Sequence, residues 1–223
     1  MAVTLTSTGI IYGDGSTDTV AYSSSTDSGQ LISITSYTYS AGTYTYTVPA
    51  NATSLFVKCV GGGGGSAGFL ESGGAGGYSE TLITGVSAGQ TFSVTVGGGG
   101  GGVGYYAAAG SGGTSSFGAY CSATGGRGSN THWGHTGGQG GIGSGGRTNL
   151  LGGGGTGHGN HHQHGTPGRG GASYFGGTHG VRHYGGEQIG PGAPGAGASG
   201  SNTDTTRSGM TGAGGAVVVY AYS

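Results

Sequence analysis

Alternation of apolar and polar positions is the clearest periodic signal in this chain, and it comes in short bursts. From Ser54 to Val60, Leu55, Val57 and Cys59 fall on one face and Phe56, Lys58 and Val60 on the other, the two-residue period of a strand. Tyr37, Tyr39, Tyr44, Tyr46 and Val48 alternate with small or polar residues, which predicts a half-buried strand pair turning at Ala41-Gly42. Tyr78 to Ile83 and Gln90 to Val96 flank Gly85-Val-Ser-Ala-Gly89 and predict two strands joined by a hairpin or corner. Thr114 to Tyr120 supplies another strand. The closing Ala-Val-Val-Val-Tyr-Ala-Tyr (216–222) is apolar on both faces, the mark of a strand central in its sheet. No segment keeps apolar residues at i, i+3, i+4 and i+7 over three turns, so helices are not expected. The expectation is an all-β fold with about six strands, enough for a small sandwich-like scaffold.

Between these bursts the chain is glycine. Of 63 glycines in 223 residues, 58 follow Val60, in runs such as Gly61–Gly65, Gly97–Gly102 and Gly152–Gly155. Glycine loses the most backbone entropy on ordering and buries no side chain, so such a chain stays disordered or orders through its backbone. Near neutrality and 20 aromatic residues favour order, because disordered segments are usually charged and poor in aromatics. Three zones emerge: residues 1–42, rich in Ser and Thr; 43–122, strands alternating with glycine; and about 123–212, mostly glycine, histidine and polar residues. Stepping by three from Gly165 to Gly195 meets glycine at eight of eleven positions, and Pro167, Pro191 and Pro194 share one phase. Three residues per turn is the polyproline II period. Packed helices of this kind, with glycine facing inward, would satisfy the backbone without a conventional core. Several short passes are expected rather than one rod. Proline is too scarce for collagen.

Charge removes some functions. Six basic residues against seven acidic ones leave no basic face for nucleic acid. The longest apolar stretches, Leu55 to Val60 and Ala216 to Tyr222, are too short to span a membrane. No secretory leader is visible at Met1-Ala-Val-Thr-Leu-Thr-Ser-Thr, so synthesis in a cytosol is expected. Cys59 and Cys121 fit no zinc spacing; buried thiols, a disulfide and reactive thiols all remain open.

Several separated motifs carry a resemblance: Tyr-Thr-Val-Pro-Ala (46–50), Gly61–Gly65, Gly-Gly-Ala-Gly-Gly-Tyr (73–78), Gly-Gln-Thr-Phe-Ser-Val-Thr-Val-Gly-Gly (89–98), Gly-Gly-Thr-Ser-Ser-Phe-Gly (112–118) and the final Gly-Ala-Gly-Gly-Ala-Val-Val-Val-Tyr. In this order they resemble the glycine-rich domain of bacteriophage tail-fibre and receptor-binding (adhesin) proteins. Gly9-Ile-Ile-Tyr-Gly-Asp-Gly-Ser-Thr-Asp-Thr19 is also similar to a segment often found in phage fibres before a terminal domain. Here Tyr12, Ser16 and Asp18 stand in place of Phe, Thr and Gln. The resemblance implies a virion protein of the tail, assembled in the host cytoplasm as a homotrimer with polyglycine II helices. Its implied partners are other phage tail proteins and a host cell-surface glycan or outer-membrane protein. Residues 1–42 would dock or trimerise, and 43–223 would form the glycine-rich domain. A purely structural protein, a capsid decoration or surface matrix component, is the alternative.

Candidate chemistry lies in the glycine-rich zone. Arg127, His132, Trp133 and His135 form one aromatic and basic cluster; Tyr174, Phe175, His179, Arg182, His183 and Tyr184 form a second, and His161 adds to these. Aromatic faces beside donors suit sugar rings or a protein surface; the alternative is that they pack on glycine helices. In an extended segment His162 and His164 project to one side. Around a threefold axis three such pairs would supply six nitrogens to an octahedral transition metal, the one cofactor considered, against the plainer role of a polar loop tip. Catalysis is not expected. Gly64-Gly-Ser-Ala-Gly68 matches a nucleophile elbow but no helix can follow it, and the seven acids are too dispersed to pair.

Overall fold

The computed structural model describes residues 29–67, 71–104, 107–130, 136–157, 168–177, 192–200 and 209–223 in full, and 4–6, 9–11, 17–18, 182–183 and 201–202 as backbone. The described residues form strands, turns and extended passes with no helix. A small antiparallel sheet joins β1 (Thr4–Thr6), β2 (Gly9–Ile11) and β3 (Thr17–Asp18). Then come β4 (Leu31–Thr38), β5 (Gly42–Thr47), β6 (Ser54–Val60), β7 (Tyr78–Thr84), β8 (Thr91–Val96), β9 (Ser115–Phe117), β10 (Cys121–Ala123), β11 (Gly143–Ser144) and β12 (Thr148–Leu150). The short parallel pair β13 (Arg182–His183) and β14 (Ser201–Asn202) precedes β15 (Ala216–Tyr222).

Two five-stranded antiparallel sheets, ordered β12-β7-β6-β15-β4 and β11-β10-β9-β8-β5, pack face to face. The predicted alternation supplies the core. Leu55, Val57 and Cys59 of β6 and Val217, Val219 and Ala221 of β15 have no solvent exposure. They meet Tyr46, Phe92, Val94 and Phe117 of the other sheet. Each large apolar side chain buried there contributes about 1.5–3 kcal/mol. As expected for a strand apolar on both faces, β15 is internal, between β6 and β4.

Two local expectations are corrected, and the open choice between a hairpin and a corner is resolved. Tyr37 and Tyr44 do not lie on a hairpin, because β4 pairs with β15 and β5 with β8. The chain crosses between sheets there, with Tyr39 at φ 59°, and the two rings meet across the shared core 5.2 Å apart. Period reveals a half-buried strand but not its partner. Gly85 to Gly89 is a corner, since β7 and β8 lie in different sheets. The strand expected over Thr114 to Tyr120 stops at Phe117, where Gly118 at φ 49° turns the chain into β10.

The glycine runs build a second body. Ten extended passes run 61–66, 71–77, 97–103, 109–114, 124–130, 136–142, 151–157, 168–173, 194–200 and 209–215. In pass 1 the amides of Gly61 and Gly64 donate to pass 2, those of Gly62 and Gly65 to pass 4, and those of Gly63 and Ser66 to pass 10. Its carbonyls accept from passes 3, 5 and 9. Partners that rotate every third residue are the signature of a threefold screw, and all six amides of the pass are satisfied. Pass 2 is surrounded in the same way by passes 1, 5, 6, 7, 8 and 9. The ten therefore stack in three layers: passes 4, 5 and 6; passes 3, 1, 2 and 7; and passes 10, 9 and 8. The registers alternate, so odd passes run away from the sandwich and even passes return. Close approach is what demands glycine. A methyl group on Gly61 would overlap the Thr124 carbonyl, one on Gly63 that of Ala196, and one on Gly64 that of Arg127.

Candidate functional site: the far end of the glycine bundle

Strand and pass are joined end to end, and this sorts the connections. Pass 1 continues β6, pass 2 enters β7, pass 3 continues β8, pass 4 enters β9, pass 5 continues β10, pass 6 enters β11, pass 7 follows β12 and pass 10 enters β15. One end of the bundle is thereby rooted in the sandwich. At the opposite end the chain leaves and re-enters five times: between 66 and 71, 103 and 109, 130 and 136, 157 and 168, and 200 and 209. Side-chain hydrogen bonds fasten that end. Ser129 Oγ accepts from the Ala67 amide at 2.7 Å, and Ser66 Oγ from the Met210 amide at 2.8 Å. The Ser72 hydroxyl lies 2.7 Å from both the Thr156 and the Arg169 carbonyl oxygens.

His132, Trp133, His135, His161, His162, His164, His179 and Tyr184 lie outside the described residues. Their anchors do not. Asn130 and Thr136 flank the first three at the far end, and Gly157 and Gly168 flank the histidines of 158–164 at the same end. Arg182 and His183 form β13, in parallel register with Ser201 and Asn202, directly beyond the far end of pass 9. Stretches more than 50 residues apart in sequence thus converge on one end.

Three expected site residues lie elsewhere. Tyr174 and Phe175 sit at the sandwich end, where Tyr174 stacks on Tyr78 with ring centroids 3.6 Å apart and Phe175 meets Tyr78 edge-on. The Lys58 ammonium lies 5.4–5.8 Å from the rings of Phe56, Tyr174 and Tyr220, a favourable charge–quadrupole contact. The Tyr78 hydroxyl donates to Glu80 Oε2 at 2.5 Å. Burial, and then this bond to the Glu80 carboxylate, holds the phenol above its usual range.

Arg127 is exposed on the broad face of passes 4, 5 and 6. Every third residue points outward on that face: Ser111 and Thr114; Thr124, Arg127 and Asn130; Thr136, Gln139 and Ile142. The pass registers align them in rows, with Thr124 beside Ile142, Arg127 beside Gln139 and Asn130 beside Thr136. Rows recur at about 9 Å, three residues at ~3.1 Å each. This ordered face was not anticipated, although Thr124-Gly-Gly-Arg127 and Thr136-Gly-Gly-Gln139 announce it as triplets of one side chain and two glycines.

The family model of a glycine-rich domain matches residues 38–222. No curated protein matches the chain. Among the described residues no helix is long and apolar enough to cross a membrane.

Proposed function

The chain belongs to the glycine-rich domain family, and from that premise we propose that it is a phage tail-fibre or tail-tip protein whose far-end turns attach the particle to a host receptor. The observation that supports this reading is the sorting of the connections. One end of the bundle is held by the strands of a packed sandwich, and at the other the described residues anchor five connections between passes. A rigid scaffold that anchors connections of different lengths suits recognition, because connecting segments can change without disturbing what holds them. The far-end connections also carry the only tryptophan, Trp133, and six of the eight histidines, side chains that bury area or donate hydrogen bonds at low entropic cost. The protein acts by binding rather than catalysis, on a cell-surface glycan or outer-membrane protein. Threefold assembly would bring three His162 and His164 pairs to one axis, where a transition metal would find six nitrogens.

Competition between the purified chain and particles for host cells tests this. Trp133→Ala with His161→Ala is expected to weaken cell binding more than tenfold, the scale of an aromatic hot spot. Unchanged adsorption by that variant, or absence of the chain from purified particles, overturns the reading.

A further inference from the structure

Cys59 lies on β6 of one sheet and Cys121 begins β10 of the other, both facing the shared core. Their sulfurs are 3.2 Å apart, and both residues are buried, at 0% and 2% exposure. Both cysteines are free thiols. We propose that these thiols are an oxidisable pair that closes an inter-sheet disulfide, with a low-molecular-weight disulfide as oxidant.

The neighbourhood assigns an order to the two sulfurs. Cys121 follows the exposed turn Gly118–Tyr120, whose Tyr120 is 43% exposed, whereas Cys59 sits in an internal strand between β7 and β15. The hydrogen bond between the two thiols holds Cys121 below its usual range and, with burial, pushes Cys59 up. Cys121 is therefore the attacking thiolate. Its sulfur displaces one thiolate from the small disulfide and becomes a mixed disulfide; the displaced thiolate takes up the proton Cys121 gave to solvent. Cys59 then gives up its proton, attacks the Cys121 sulfur and expels the second thiolate, which takes that proton. Two protein thiols become one disulfide, and one small disulfide becomes two small thiols.

The bond would close a loop spanning 62 positions that contains passes 1 to 4, including both passes surrounded by six neighbours. It clamps the sandwich at the root of the bundle. Reduced in a cytosol and closed in an oxidising exterior, the pair would add stability after synthesis. The chemistry does not depend on what the far end recognises.

The test incubates the folded full chain with oxidised glutathione, then measures intact mass, thiols under denaturing alkylation, and the thermal midpoint. Expected are the loss of two hydrogens, a Cys59–Cys121 cross-linked peptide, and a midpoint raised by roughly 5–15 °C. Cys59→Ala should trap glutathione on Cys121, while Cys121→Ala should leave Cys59 unmodified. Thiols that stay reduced, or persistent glutathione adducts on the unaltered chain, overturn the proposal. So does a disulfide form no more heat-resistant than the reduced one. Should either alanine variant fail to fold, the mass and midpoint of the unaltered chain decide alone.

Discussion

The sandwich and the glycine bundle are built from the same chain by opposite means. In the sandwich, Leu55, Val57, Val94, Phe117 and Val217 exclude water from between two sheets. Backbone pairing there runs in two directions only, within each sheet. In the bundle the side chains are nearly gone, and pass 1 exchanges hydrogen bonds with six neighbours. The comparison teaches that removing Cβ atoms can itself create a packed interior. Extended chains approach until amides meet carbonyls of three neighbours and carbonyls meet amides of three more, and dispersion and hydrogen bonding replace hydrophobic burial. The sandwich also anchors the lattice, since eight of the ten passes connect directly to its strands.

Substitutions can break that contrast in graded steps. Phe117→Ala removes a fully buried ring that contacts Tyr46 and Phe92 and should cost about 3–5 kcal/mol, measured by denaturant unfolding. Gly64→Ala adds one methyl group against the Arg127 carbonyl and should cost roughly 2–3 kcal/mol as overpacking. A neutral result there would mean that the lattice does not rely on close approach. Gly101→Ala is the counterpart: an added Cβ meets nothing within 4 Å and φ is not positive, so stability should rise by about 0.4–1 kcal/mol.

Alkaline pH separates the regions more gently. The raised Tyr78 phenol stays protonated in the folded chain, while the unfolded chain ionises it near the ordinary value of 10.0. Its contribution to stability is complete below that pH and is lost as pH rises through the higher folded value. Tyr78→Phe should therefore flatten the alkaline fall in thermal midpoint above about pH 10. The finest probe is amide exchange in pass 5. Gly126, Arg127 and Ser129 donate to carbonyls, whereas the amides of Gly125 and Gly128 make no hydrogen bond among the described residues. Protection should follow a three-residue period; a two-residue period would mean a sheet.

Much of the sandwich was legible. Ser54 to Val60 and Ala216 to Tyr222 became β6 and β15 with their expected faces, because a buried side needs apolar residues at every second position. Partner choice was not legible. Tyr37 and Tyr44 pointed to one shared core but not to two sheets, and the Leu31 to Ser36 part of β4 was not anticipated. The ordered face around Arg127 was written in its glycine triplets, yet only the registers of passes 4, 5 and 6 show that those triplets align. Of the expected site, Arg182 and His183 are now placed beside the exit of pass 9, and Tyr174 and Phe175 against Tyr78.

By itself the sequence determined that this chain is all-β and that its glycines must order through the backbone. Alternation and composition act locally, and each residue carries its own share of that information. Only the tertiary structure decided which glycine run touches which, and so which connections gather at the far end. A glycine has no side chain to name its partner; its neighbours in the lattice are chosen by the register of passes that the sandwich strands set in place.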